Sequence, residues 1–201
     1  KPHVYLGEYA SHLPGRPNNI ETALSCALYL TDVERNADVV EMSSYAPLFG
    51  KENHCQWRPD MIYFDNTKIK LTTDYYVQKL YGTNGGDEYV PCTWKIENEN
   101  DAVSKRLGQS VIRDSHSGDV IVKLANLLPV SATTVVDLKG LVIGTKKAVL
   151  HVLKGNPTDT DAIPSESAFE VGNKFDYEMP PYSFSVIRIK GNLLMDKILN
   201  R

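Results

Sequence analysis

The residue of this chain best placed to do chemistry is Glu8, within Val4-Tyr5-Leu6-Gly7-Glu8-Tyr9-Ala10. The run is short and apolar, as a strand should be, and it delivers one carboxylate between a glycine and a tyrosine. In β/α barrels the side chains at the C-terminal ends of strands converge on the mouth where catalysis takes place. A glutamate there, backed by aromatic residues, has the position of a glycosidase's catalytic carboxylate. On the heptapeptide alone, the competing reading is an exposed glutamate closing an ordinary strand.

Other residues offer weaker chemistry. Tyr9 is suited to hydrogen-bond the Glu8 carboxylate or to pack under it. Trp57 presents an aromatic face of the kind that stacks on the C–H face of a sugar, and is equally suited to loop packing. Tyr45 would close a second strand and line a pocket there, although a strand tyrosine is more often core. Arg58 and Asp60 can bind hydroxyls or pair with each other. His12 and His54 lack metal-ligand spacing and read as solvated loop residues. Cys26, Cys55 and Cys92 are three in number and widely spaced, giving no disulfide framework and no zinc pattern. No metal and no cofactor are expected.

The elements that must position Glu8 follow from the pattern around it. Ser11–Asn19 is dense in turn formers and reads as a loop over the strand end. Asn18 or Asn19 caps a helix with Glu21 in its first turn, and Ile20, Ala23, Leu24, Ala27, Leu28 and Leu30 form one apolar face, so the helix runs to Glu34 or Arg35. Val39–Ala46 is a buried strand closed by Pro47. Strand, helix and strand make a βαβ unit with Glu8 at the C-terminal end of its first strand. A mouth loop over 48–60, a short run Met61–Phe64 and a helix capped by Thr73 or Asp74 and ending near Gly82 complete this part. After Thr83-Asn84-Gly85-Gly86-Asp87 the period changes to two. The expected strands are Glu88–Ile96, Gln109–Asp114, Asp119–Asn126, Ala132–Leu138, Lys146–Leu153, Ser167–Val171 and Tyr182–Lys190, with a hairpin loop at Ser115–Gly118. The fold class is therefore mixed, a short α/β segment followed by an antiparallel β-sandwich. Residues 1–86 form the first part, 87–191 the sandwich, and 192–201 a tail with room for one or two helical turns.

Bulk properties narrow the partners. The net charge of −3 over 201 residues argues against nucleic-acid binding. No apolar run approaches the roughly 20 residues of a membrane span. The chain opens Lys1-Pro2-His3 almost directly into a strand, as a segment of a longer protein would; export of that protein, to the medium or the periplasm, stays open.

Several blocks, in order, resemble the α-L-arabinofuranosidases of glycoside hydrolase family 51. Gly7-Glu8-Tyr9-Ala10 resembles the family's nucleophile motif. The stretch from Thr31 through Asn36-Ala37-Asp38, Glu41-Met42-Ser43-Ser44-Tyr45-Ala46-Pro47 and Phe49 resembles its next helix end and strand. Trp57-Arg58-Pro59-Asp60, Phe64-Asp65-Asn66, Tyr75–Leu80 and Met179–Val186 follow in sequence. The resemblance implies a retaining enzyme that removes terminal α-L-arabinofuranosyl units from arabinan or arabinoxylan, with Glu8 as nucleophile, built as a (β/α)8 barrel joined to a β-sandwich. Residues 1–86 would then be the last βαβ part of the barrel.

A retaining glycosidase needs two carboxyl groups about 5–5.5 Å apart. The family's acid/base precedes the nucleophile by a long stretch, and only seven residues precede Glu8. The 201 residues alone are thus expected to be inactive and to need the rest of the catalytic barrel as partner. Lys1–Gly82 is expected to pack poorly alone, to associate with another copy as a homo-oligomer, or to rearrange. The competing function is a non-catalytic carbohydrate-binding or structural β-sandwich, which would carry exposed aromatic side chains on one sheet face; Tyr89, Trp94, Phe169, Phe175, Tyr177, Tyr182 and Phe184 fall mostly in alternation that argues for burial.

Overall fold

The computed structural model describes residues 2–139, 141 and 146–191. The helical turns expected in the tail lie outside the described residues. Strand β1 (Val4–Tyr9), helix α1 (Ile20–Arg35) and strand β2 (Val40–Tyr45) form a βαβ unit, with β1 and β2 parallel and Val4 opposite Val40, Tyr9 opposite Tyr45. Helix α1 starts at Ile20 because Asn19 closes a reciprocal cap. The Asn19 carboxamide accepts from the Thr22 amide at 3.0 Å, and the Thr22 hydroxyl accepts from the Asn19 amide at 3.0 Å. Ile20, Ala23, Leu24, Ala27 and Leu30 are buried along one stripe.

The expected mouth loop contains a short strand, β3 (Phe49–Lys51), which pairs parallel with β4 (Ile62–Phe64). Strand β5 (Ile69–Leu71) adds antiparallel to β4. Three-residue strands show no usable periodicity, so they escape a reading of pattern. Helix α2 (Thr73–Thr83) is capped by Thr72, not by Thr73 or Asp74. The Thr72 hydroxyl accepts from the Tyr75 amide at 3.4 Å and donates to the Met61 carbonyl at 2.7 Å, a contact made across the fold.

The expected strand Glu88–Ile96 shrinks to β6 (Glu88–Tyr89). The Val90 amide still donates to the Val111 carbonyl at 2.9 Å, and Pro91, which has no N–H, ends the ladder. After a short helical turn, α3 (Asp101–Ser104), come β7 (Leu107–Asp114), β8 (Asp119–Asn126), β9 (Ala132–Asp137), β10 (Lys146–Lys154), β11 (Ser165–Val171), β12 (Lys174–Met179) and β13 (Ser183–Ile189). The antiparallel order is β11-β10-β13-β8-β7-β6, with β9 and β12 forming a separate two-stranded sheet. Strand β12 was not among the expected strands; its charged outer residues Lys174, Asp176 and Glu178 give it the look of a loop.

The large sheet is covered on both faces. Val120, Val122, Leu124, Ile187 and Ile189 pack with Leu138, Tyr177 and Met179 to make the sandwich core. The alternate positions, Ile121, Ala125, Phe184 and Val186, pack with Ile20, Ala23, Leu24, Ala27 and Leu30 of α1 and Val77 and Leu80 of α2. Every residue of β8 is buried as a result. The expectation of a loosely packed Lys1–Gly82 therefore does not hold for its helices, whose apolar faces the sheet covers. It describes the strands better, since Tyr5, Met42, Phe49 and Ile69 are exposed.

One cation sits inside this helix–sheet layer. Lys123 of β8 is fully buried and ion-paired with Glu34 of α1. Its ammonium also lies 4.7 Å from the ring centroid of Tyr81. Glu34 accepts a further bond from the Ser110 hydroxyl at 2.5 Å. Burial lowers the Lys123 pKa, opposed by the attraction of Glu34. In the other layer Phe169 meets Phe175 and Tyr177 edge-on, and the Tyr177 hydroxyl hydrogen-bonds Ser185 at 2.8 Å. The sandwich thus spends these aromatic residues on its core, against the carbohydrate-binding alternative.

Candidate active site

Glu8 is the penultimate residue of β1 and is exposed. The β1–β2 pairing is irregular between Leu6 and Tyr9, so Gly7 and Glu8 lie in a locally distorted stretch of the kind found beside active sites. Glu8, Tyr9, Ala10 and His12 from β1 and its following loop, Ala46 and Pro47 after β2, and Trp57 from the next loop line a recess of about 440 Å3. That volume lies in the range of small-molecule sites. The parallel βαβ arrangement puts the ends of β1 and β2 side by side, so residues far apart in sequence share one wall.

Of the expected site residues, Glu8, Tyr9 and Trp57 share this recess, while the Tyr9 hydroxyl and the whole of Tyr45 turn into the packing behind it. The Tyr9 hydroxyl does not reach for the Glu8 carboxylate; it donates to Gln78 Oε1 of α2 at 2.7 Å. The Tyr9 ring lies 5.3 Å from Tyr29 and 5.8 Å, edge-on, from Tyr45. Burial pushes the Tyr9 phenol well above its ordinary value, with the Cys26 thiol adding to the shift. Tyr45 is buried with Cys26 and Met61 and does not line the recess. Burial also raises its pKa, and its hydroxyl has no hydrogen-bond partner among the described residues.

Trp57 is 55% exposed, and the Arg16 guanidinium lies 4.6 Å from its ring centroid. The Arg16 Nη1 donates to the Arg58 carbonyl at 3.0 Å, tying the loop after β1 to the loop carrying Trp57. Arg58 stands 5.9 Å from the Tyr63 ring centroid. Asp60 goes inward instead, against Gly50, where a Cβ would come within 2.3 Å of its Oδ2. Burial raises the Asp60 pKa, opposed chiefly by a hydrogen bond with Cys55.

Behind the recess lies a buried carboxyl that sequence reading took only for a candidate helix cap. Asp74, in the first turn of α2, is fully buried. Its Oδ2 accepts from Asn18 Nδ2 at 3.1 Å and Thr22 Oγ1 at 3.3 Å, and its Oδ1 from the Cys26 thiol at 3.8 Å. Burial outweighs these bonds and pushes its pKa up to about 6. Sequence reading also missed His12 as a wall residue and Arg16 as the cation over Trp57; the only signal was their position on the loop that follows Glu8. Asp87, Asp114 and His116 bring ligand-type atoms within 4.8 Å of one another, but the first two carboxylates already hold Ser115, Ser117 and Arg188. No described helix is long and apolar enough to cross a membrane.

Comparison with known proteins places this geometry. The family model for the α-L-arabinofuranosidase C-terminal domain matches residues 4–183. The chain is 32% identical over 194 residues to α-L-arabinofuranosidase A of Aspergillus kawachii, a match spanning 91% of this chain and 29% of that one. An extracellular exo-α-L-arabinofuranosidase of Streptomyces chartreusis is 48% identical over 90 residues, 45% of this chain and 10% of its own. Among solved structures, an arabinose-bound family 51 α-L-arabinofuranosidase superposes with a TM-score of 0.81 at 26% identity, covering 96% of this chain and 37% of that one. The arabinose complex of the Thermotoga maritima enzyme shares the fold, with a TM-score of 0.76 at 15% identity over 94% of this chain and 43% of its own. The chain thus spans well under half the length of these relatives, and over nearly all of its own length it belongs to the C-terminal domain family of the family 51 α-L-arabinofuranosidases.

Proposed function

We propose that this chain is the C-terminal part of a retaining α-L-arabinofuranosidase, that β1, α1 and β2 close the end of its (β/α)8 barrel, and that Glu8 is the nucleophile. The observation that carries the reading is the position of Glu8, at the C-terminal end of a parallel strand and in one recess with Trp57, in a chain of this family. The Glu8 carboxylate attacks the anomeric carbon of a terminal arabinofuranosyl unit. The glycosidic C–O bond breaks, and the aglycone oxygen takes a proton from a second carboxylic acid. Water, deprotonated by that same residue, then cleaves the glycosyl ester and frees Glu8. The second carboxyl comes from barrel segments outside these 201 residues, and those segments cover the exposed Tyr5, Met42 and Phe49. Trp57 forms the sugar platform. Tyr9 and Tyr45 act from behind, holding the end of β1 against α2 and β2. The substrate is an arabinose-bearing polysaccharide or oligosaccharide.

The test is Glu8→Ala in the full-length protein, assayed on 4-nitrophenyl α-L-arabinofuranoside. Turnover should fall on the order of 10^3-fold or more. Added azide should restore release of nitrophenol and yield an arabinofuranosyl azide of inverted configuration, since the anion takes the place of the missing carboxylate. Unchanged turnover, or loss without azide rescue, would refute the assignment.

A further inference from the structure

We infer that a second recess, on the far side of the Trp57–Arg16 wall from Glu8, is a subsite for the carboxylate of an acidic sugar, so that the glycan this protein takes bears uronic acid near the arabinofuranosyl unit. The location beside the scissile sugar rests on the function proposed for Glu8; the charge recognition does not.

The recess, of about 310 Å3, is lined by Arg16 and Asn18 from the loop after β1, Glu52, Asn53 and Arg58 from the loop after β3, and Tyr63 and Lys70 from β4 and β5. Three cations face one carboxylate there. Among the described residues, none of Arg16, Arg58 and Lys70 makes an ion pair within 4 Å. Unpaired cations converging on a concave wall are a site for an anion. The two guanidinium groups are also held in place without an ion pair, although Arg58 feels the charge of the buried Asp60. Arg16 lies over Trp57 and donates to the Arg58 carbonyl, while Arg58 stands over the Tyr63 ring. Such groups lose little freedom when an anion arrives, and a planar guanidinium fits a carboxylate with two parallel bonds.

The backbone of the same wall is unusual. Two of the four described non-glycine residues with positive φ, Arg16 at 49° and Asn53 at 61°, line this one recess. Strained residues of that kind gather at ligand sites. Size and composition favour a sugar acid over a bare ion, since Asn53, Tyr63 and Glu52 offer hydroxyl partners around the cations. Because Arg16 lies against Trp57, a chain bound with its arabinosyl unit at Trp57 continues directly over the cations.

The full-length protein carrying Glu8→Ala, so that the probes are not cleaved, titrated by calorimetry, tests this. The probes are arabino-oligosaccharides carrying galacturonate, the same carrying glucuronate, and the carboxyl-reduced neutral form of each. At least one acidic probe should bind roughly 10-fold or more tightly than its reduced form, as a charged hydrogen bond is worth. The advantage should shrink with added salt. The galacturonate and glucuronate arms tell a pectic from a xylan source. Lys70→Gln, at an exposed side chain, and Arg58→Gln should each erase most of the advantage while binding of the neutral probes persists, which reports that the variants are folded. Equal affinity for acidic and reduced probes, or an advantage that survives both substitutions, would overturn the inference. Azide rescue at Glu8 is a separate readout, so either reading can fail while the other stands.

Discussion

Asp74→Asn should make this chain more stable at neutral pH, and the gain should vanish in acid. The carboxyl is fully buried at the start of α2 and its pKa is raised from 3.8 to about 6 because burial penalises the charge. Bonds from Asn18, Thr22 and Cys26, and its place at a helix N-terminus, pull the other way and lose. The sign follows from where the proton is held. Between about pH 4 and 6 the folded chain binds more protons at this site than the unfolded chain, so stability falls as pH rises through that window. The rise from 3.8 to about 6 corresponds to about 3 kcal/mol, fully lost above the folded pKa. Asparagine keeps the shape and the acceptor oxygen facing Asn18 and Thr22 but carries no charge. Its amide nitrogen meets the Cys26 thiol less well, so the net gain at pH 7.5 should be about 1–3 kcal/mol. The assay is urea unfolding of both proteins from pH 4 to 8. The difference in midpoint should open between pH 4 and 6 and stay flat above. A difference that is constant with pH, or that favours the wild type at pH 7.5, would refute the reasoning.

Three further outcomes follow from the packing. Lys123→Ala leaves the half-buried Glu34 without its cation and empties the space of a fully buried side chain, and should lower stability by about 2–4 kcal/mol, whereas Lys123→Met with Glu34→Leu should recover most of it; chemical denaturation of the two variants decides. Gly108→Ala puts a methyl within 2.4 Å of Leu28 Cδ1 and 2.8 Å of Thr31 Oγ1, so these side chains must turn aside or α1 shift off β7, and the melting midpoint should drop in line with about 1–3 kcal/mol. Asn126→Ala removes a carboxamide that donates to the Val130 and Pro180 carbonyls at 3.0 and 2.9 Å and accepts from the Leu128 amide at 2.9 Å; the loss should exceed about 2 kcal/mol, read by the same denaturation.

Local physics made part of this molecule legible before any coordinates. The apolar stripe of α1 and its Asn19 cap depend on residues within one or two turns, and the hairpin at Ser115–Gly118 on three adjacent polar residues and a glycine. Glu8 stood out because a strand end is where chemistry is mounted. What could not be read was set by partners distant in sequence. Lys123 alternates with apolar neighbours like any outward-facing strand residue; only Glu34, 89 residues away, explains its burial. Tyr9 was expected to turn toward Glu8, and Gln78 holds it instead. Asp74 read as a cap candidate because its three partners, Asn18, Thr22 and Cys26, lie about 50 residues earlier in the chain. Arg16 read as a loop residue, since nothing local announces that Trp57 will lie beneath it.

The sheet that carries β8 and β13 is a party wall, with occupants on either side. Removing everything after Gly86 would leave Ile20, Leu24, Ala27, Val77 and Leu80 facing water, and the shortened protein would be insoluble. Grafting the sandwich onto another protein meets the mirror-image difficulty, because Lys123 would arrive without the glutamate that neutralises it. The two halves therefore have to be inherited, and engineered, as a matched pair.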